Sequence, residues 1–228
     1  MLFHRSTLST CHSATGLVVA IDVLRAFTTA AYLFNEGVEE ILLVSGVQEA
    51  FELRKTMPDC LLLGEVDGIK VEGFDLGNSP SEIMAKNLSG KRVIQRTTAG
   101  TQGVVLAANA GVILAAALTN ASATARYIQK LAPTQVTFIQ TGVHPESGSG
   151  DEDVACADAI ETMLLGRDVD QRQIAQRVRS SRAGRHYDGT YAHYPPPDLE
   201  LALRFDRFHF AMVVERKNGL HVMHCVEA

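Results

Sequence analysis

Leu17-Val18-Val19-Ala20-Ile21-Asp22-Val23-Leu24-Arg25 is the stretch that decides the fold. Its first five residues are apolar without alternation, which suits a strand buried on both faces. A carboxylate closes the run, and Arg25 opens a helix-like segment over 25–35. The same order recurs along the chain. Apolar runs stand at 41–44, 60–63, 92–96, 112–115 and 136–140, with helix-like segments at 48–56, 80–86, 101–109 and 121–131 between them. Gly37 sits where a helix C-cap belongs, and Ser79-Pro80 places a cap residue before a proline at the first helical position. Ser79 and Glu82 also have capping-box spacing. Strand–helix alternation predicts an α/β fold, a three-layer α/β/α sandwich around a largely parallel or mixed sheet.

The pattern changes after Gly142. A Gly-, Ser- and Pro-rich loop over 143–150 leads to a helix over 151–165 and a second over 170–182. Residues 185–197 are rich in Gly, Tyr and Pro and are expected to form a loop or lid. Two apolar runs, 208–214 and 220–226, flank Lys217-Asn218-Gly219, which predicts a hairpin with a tight Asn-Gly turn. This organisation divides the chain into an α/β core over 1–142 and an appended C-terminal α+β portion over 143–228, docked on that core.

Bulk properties narrow the function. The chain has 228 residues, 46% hydrophobic and 21% charged, with a net charge of −5. Such a balance is that of a globular protein with a core large enough to need no disulfides. No run approaches the roughly 20 apolar residues of a membrane span, and residues 1–15 lack the apolar segment of a signal peptide. The negative charge argues against nucleic acid as a partner. Five arginines, from Arg172 to Arg185, are the exception and are expected to form a solvated helix face. Cys11, Cys60, Cys156 and Cys225 are scattered, as reduced thiols of a cytoplasmic protein would be.

Ligands of open parallel sheets bind beyond the carboxyl ends of the strands, and polar clusters fall at these places. Asp22 and Arg25 end the first run; they suit either a metal and a phosphate or a simple ion pair with a helix cap. Gly64-Glu65 follows 60–63 and opens a loop that carries Asp67, Lys70, Glu72, Asp75 and, with Gly64, four glycines, then Asn78 and Ser79 at a helix start. Such a loop fits an anion site or an ordinary capped surface turn. Arg96, Thr97, Thr98, Gly100 and Thr101 form a third cluster, suited to phosphate or to capping, without Walker spacing. Asn120 ends a fourth run. Asp151, Glu152 and Asp153 open the helix at 151, where they complement its dipole or share a cation.

These motifs, in this order, resemble the 2-phosphosulfolactate phosphatase family: Ile21-Asp22-Val23-Leu24-Arg25-Ala26, Gly64-Glu65, Glu72-Gly73-Phe74-Asp75-Leu76-Gly77-Asn78-Ser79-Pro80, Thr97-Thr98-Ala99-Gly100-Thr101, Asn120-Ala121-Ser122 and Glu152-Asp153. The resemblance covers 18–165. It implies an α/β sandwich and a Mg²⁺-dependent phosphatase that converts 2-phospho-3-sulfolactate to 3-sulfolactate, a step toward coenzyme M. On that reading Asp22, Glu65, Glu152 and Asp153 are metal ligands, and Asp22, Arg25 and Glu65 carry the chemistry. Arg25, Lys70, Asn78, Ser79, Arg96, Thr97, Thr98, Gly100, Thr101 and Asn120 would hold a small anionic phosphorylated substrate. A homodimer is the expected assembly. The chain departs from the family pattern at Ala99, where the family has asparagine, so a different phospho-hydroxy acid is an alternative substrate. A non-catalytic anion-binding protein is the other alternative.

Overall fold

The computed structural model describes residues 1–84, 86–143 and 150–228. Strands and helices alternate through the first two thirds: β1 (Leu2–Ser6), β2 (Gly16–Ile21), α1 (Ala26–Asn35), β3 (Glu40–Leu43), α2 (Val47–Thr56), β4 (Leu61–Val66), β5 (Ile69–Lys70), α3 (Pro80–Ile83), β6 (Arg92–Arg96), α4 (Gly100–Val105), β7 (Ala110–Ala116), α5 (Ala121–Leu131) and β8 (Gln135–Gln140). Then come α6 (Asp151–Leu164), α7 (Gln171–Ser180), α8 (Pro196–Ala202) and the hairpin β9 (Phe210–Lys217) and β10 (Leu220–Glu227). The strands form one ten-stranded mixed sheet in the order β1-β8-β2-β7-β9-β10-β3-β6-β4-β5. β1, β8, β2 and β7 are mutually parallel, as are β3, β6 and β4. The hairpin joins these two blocks by antiparallel pairing on both sides.

A flat sheet of this order would send the carboxyl ends of β2 and β6 to opposite edges. The contacts show a curled sheet instead. Gln95 at the end of β6 donates from Nε2 to the Ala26 carbonyl at 3.1 Å, at the start of the helix that follows β2. The hollow of the curl is filled by α1, whose residues from Ala26 to Phe34 are all buried. A helix that is apolar all round belongs inside a protein. Its cluster draws on both blocks, with Val18 and Ala115 from one, Ile41 and Val93 from the other, and Met212 and Met223 from the hairpin. The other sheet face is covered too. Leu17, Val19 and Ile21 pack with Ile128 of α5 and Ile160 of α6, while Leu42 and Ile94 pack under Ala50 of α2. The result is an α/β sandwich with helices on both faces of the sheet.

The structure sharpens several expectations. The hairpin expected in the C-terminal portion supplies two central strands of the sheet. The helix expected over 101–109 ends at Val105, and the Arg216 guanidinium donates to the Ala107 and Ala110 carbonyls at 2.5 and 2.8 Å in the turn that leads into β7. The helix expected over 80–86 is Pro80–Ile83, with Ala85 outside the described residues. Most of the loop expected over 143–150 also lies outside them. α8 begins inside the segment read as loop, with prolines in its first turn. The arginine-rich helix is a solvated face: Arg177 pairs with Asp151 and Asp158, and Arg179 with Glu200. Cys11, Cys60, Cys156 and Cys225 are free thiols. Among the described residues no helix is long and apolar enough to cross a membrane.

Candidate active site

Four carboxylates from three distant segments share one neighbourhood. Asp22 ends β2 and is 6% exposed; its Oδ1 accepts the Ala26 N–H at 2.9 Å, which caps α1. Burial, with the charges of Glu65 and Glu152 adding to it, pushes the Asp22 carboxyl up to about 7 against the N–H bond from Ala26. Asp153, in the first turn of α6, is 2% exposed. It accepts the Val23 N–H at 2.9 Å and the Gly142 N–H at 2.7 Å, which tie α6 to the ends of β2 and β8. Burial, then Asp22 and Glu152, raise its carboxyl well above the ordinary range. Burial also raises Glu152, whose Oε2 has no hydrogen-bond partner among the described residues.

Glu65, near the end of β4, is fixed from within its own block. Its Oε1 accepts the Thr98 N–H at 2.6 Å; its Oε2 accepts the Thr98 hydroxyl at 2.9 Å and the Gly68 N–H at 2.6 Å. Asp22, Glu65, Glu152 and Asp153 form no ion pair with a Lys or Arg among the described residues. Adjacent buried carboxylates without a cation are costly, and carboxylate oxygens are the donors that a hard divalent ion prefers. The acid set therefore fits Mg²⁺. Among the described residues, no three His, Cys, Asp or Glu side chains form a ready cage. An ion here would therefore rest on one or two of these carboxylates, with water and substrate oxygens filling its shell.

A cleft opens beside these acids in two lobes, each of about 190 Å³. The first is lined by Asp22, Arg25, Glu65, Asp67, Asn78, Thr98, Ala99 and Tyr194. The second is lined by Lys70, Asn78, Ser79, Glu82 and His193, among others. Arg25 and Asn78 border both. Arg25 is 5% exposed; its Nη1 donates to Asp198 at 2.8 Å, and its guanidinium stands 5.2 and 5.7 Å from the rings of Tyr194 and Tyr187. Asn78 is buried, and its side-chain oxygen, an acceptor, has no partner among the described residues. Lys70, which lines the second lobe, donates to the Asp75 carbonyl at 2.9 Å.

Other expected residues serve the scaffold. Thr97 and Thr101 are buried and exchange bonds with each other, backbone N–H to hydroxyl at 3.0 Å in both directions. Arg96 donates to the Ser45 and Glu65 carbonyls at 3.2 and 2.6 Å and so braces β4. The Asn120 side chain accepts the Ala117 N–H at 3.0 Å. None of Arg96, Thr97, Thr101 and Asn120 lines either lobe. Gly100 packs directly on Asp22. Sequence reading missed Asp198, Tyr187 and Tyr194. The Tyr- and Pro-rich run was the only sign of the last two, and Asp198 follows that run with no motif of its own.

Residues 3–189 match the sequence profile of the 2-phosphosulpholactate phosphatase family. The chain is 39% identical over 164 residues to a probable 2-phosphosulfolactate phosphatase of Bacillus subtilis (strain 168), covering 72% of this chain and 71% of that one. A protein of the same name from Deinococcus radiodurans is 40% identical over 150 residues, 65% of this chain and 62% of its own. One from Carboxydothermus hydrogenoformans is 43% identical over 147 residues, 64% and 60%. The aligned part thus spans less than two thirds of the length of the latter two relatives. With a match that runs through most of the chain and takes in all four clustered acids, this protein belongs to the 2-phosphosulpholactate phosphatase family, a family of phosphoric monoester hydrolases.

Proposed function

We propose that the protein is a Mg²⁺-dependent phosphatase that hydrolyses 2-phospho-3-sulfolactate to 3-sulfolactate and phosphate. One observation carries this reading: buried carboxylates without a paired cation border the same cleft as the Arg25 guanidinium. Asp22 and Glu65, with Asp153 and Glu152 behind Asp22, would hold the ion. Bound there, Mg²⁺ would offset the acids' charge and polarise the phosphoryl group. The chain's own groups do the rest. Arg25 presents a planar guanidinium for phosphate oxygens. Thr98 holds Glu65 in place, and Asn78 and Lys70 face the remainder of the substrate. A protein of net charge −5 needs such local cations to attract a substrate with three acidic groups.

The test uses purified protein. Phosphate release from 2-phospho-3-sulfolactate should require Mg²⁺ and stop with chelator, and Asp22→Asn should abolish it while the chain stays folded. Full activity in that variant overturns the assignment. Rapid acid quench with labelled phosphate decides whether water attacks directly or a carboxylate is phosphorylated first. A second reading, a phosphatase of another phospho-hydroxy acid, is favoured by Ala99, which lines the first lobe. A panel of phosphorylated acids separates the two, and clear preference for the sulfonate eliminates the second.

A further inference from the structure

Asp198 lies beyond the residues that match the family profile, yet it reaches the cleft. It is 0% exposed, in the first turn of α8. Its Oδ2 accepts Arg25 Nη1 at 2.8 Å, while its Oδ1 accepts the Ser79 hydroxyl and the Ser81 N–H, each at 2.9 Å. One carboxylate on α8 therefore ties that helix to the guanidinium that follows β2 and to the N-terminal turn of α3. Tyr187 and Tyr194 lie against the same guanidinium. A charged fork held at one Nη by a carboxylate, with its other Nη donating to the Gly68 carbonyl at 3.5 Å and two aromatic rings beside it, keeps few orientations.

We propose that Asp198 is the positioning residue for Arg25, setting the guanidinium at the boundary of the two lobes so that its remaining N–H groups meet an oxyanion. Asp198 itself touches no substrate. The idea rests on Arg25 being the anion-binding cation of the reading above. Its consequence is that the C-terminal segment completes a site whose other parts lie in the family-matched region.

The test is a double-mutant cycle on Arg25→Gln and Asp198→Asn, read by titration of inorganic phosphate and by melting temperature. Asparagine keeps an oxygen for Ser79 and Ser81 but loses the charge that orients Arg25. The folded Asp198→Asn protein should bind phosphate about tenfold more weakly or worse. In the Arg25→Gln background the same change should cost no further affinity, because the residue acts only through Arg25. A purely structural role would lower the melting temperature and leave phosphate affinity unmoved, which overturns the proposal. So does an additive loss in the double variant. If Asp198→Asn alone does not fold, comparing Arg25→Gln with Arg25→Gln/Asp198→Asn still decides, since removing both charges relieves the buried pair. Phosphate binding needs no turnover. A wild type that hydrolyses no ester but shows this coupling would refute the phosphatase reading and leave the role of Asp198 standing.

Discussion

Gly100 leaves no room between α4 and Asp22: a β-carbon placed on it would stand 2.7 Å from Asp22 Oδ2 and 2.5 Å from the Ala26 methyl group. The glycine is needed for this approach, not for its dihedral freedom. Gly100→Ala must push α4 away from the start of α1 or turn the Asp22 carboxylate aside. Overpacking of this kind costs about 1–3 kcal/mol. The expected result is a lower melting temperature together with loss of most phosphate release and weaker Mg²⁺ binding. Wild-type activity in Gly100→Ala would show that the Asp22 oxygen facing α4 takes no part in the chemistry.

Burial raises Asp22 to about 7, and this has a sign that metal-free protein can report. An unfolded aspartate titrates near ~4. Between that value and about 7 the folded protein holds a proton that the unfolded chain has released, so stability falls as pH rises through this window. Above it the full cost of the ionised group is present. In chelator, Asp22→Asn should therefore melt higher than wild type at pH 8, and the difference should close toward pH 5. Mg²⁺ should bind more weakly as pH drops below about 7, because protons compete for the same oxygens. Parallel melting curves for the two proteins across this range would contradict the burial of charge at Asp22.

Much of this site was legible because its acids stand at the ends of apolar runs. Asp22 and Glu65 each follow a buried strand, and α/β topology brings strand ends to ligands. The same signal also pointed to Arg96, Thr97 and Thr101, whose polar groups bond carbonyls and one another, and to Asn120, whose side-chain oxygen takes the Ala117 N–H while its amide nitrogen has no partner among the described residues. Closing a strand–helix turn and holding an anion call for the same residue types, so residue type alone does not separate the uses. Asp198 was illegible for a different reason: its partner Arg25 lies 173 residues away, and only the tertiary fold joins them. β1 was hidden because Leu2–Ser6 is an edge strand with mostly exposed side chains and no apolar run. The central place of the hairpin was hidden because pairing of β9 with β7 and β10 with β3 is set by partners far back in the chain.

Thr98 controls the direction of Glu65. Its N–H and hydroxyl bond the two carboxylate oxygens, and its Oγ1 also accepts the Asp67 N–H at 2.8 Å. Thr98→Val keeps the shape and the backbone bond but removes the hydroxyl from both neighbours. The lost hydrogen bonds should cost about 1–3 kcal/mol. With Glu65 held by the two backbone N–H groups alone, kcat should fall about tenfold, and more Mg²⁺ should be needed for half-maximal rate. Steady-state kinetics over a Mg²⁺ series measure both. An unchanged Mg²⁺ requirement would mean that Glu65 is not a ligand of the ion.

Gly68 makes a second test, at the mouth of the cleft. Its φ is +82°, and a β-carbon there would stand 2.2 Å from the Tyr194 hydroxyl oxygen. Its N–H holds Glu65. Alanine would meet both backbone strain and the tyrosine; the strain alone costs about 1 kcal/mol. The Tyr194 side chain is the part free to yield, so Gly68→Ala should swing it off Arg25 and open the lid side of the first lobe. Tyr194→Phe removes only the hydroxyl and leaves the ring 5.2 Å from the guanidinium. The expected pattern is a raised KM in Gly68→Ala and a near-normal KM in Tyr194→Phe. A Gly68→Ala/Tyr194→Ala double variant should match Tyr194→Ala in KM, because the tyrosine that the new methyl group displaces is already gone. If the double variant is instead much worse than Tyr194→Ala, the damage runs through the Gly68 N–H and Glu65, and the lid is not what Gly68 serves.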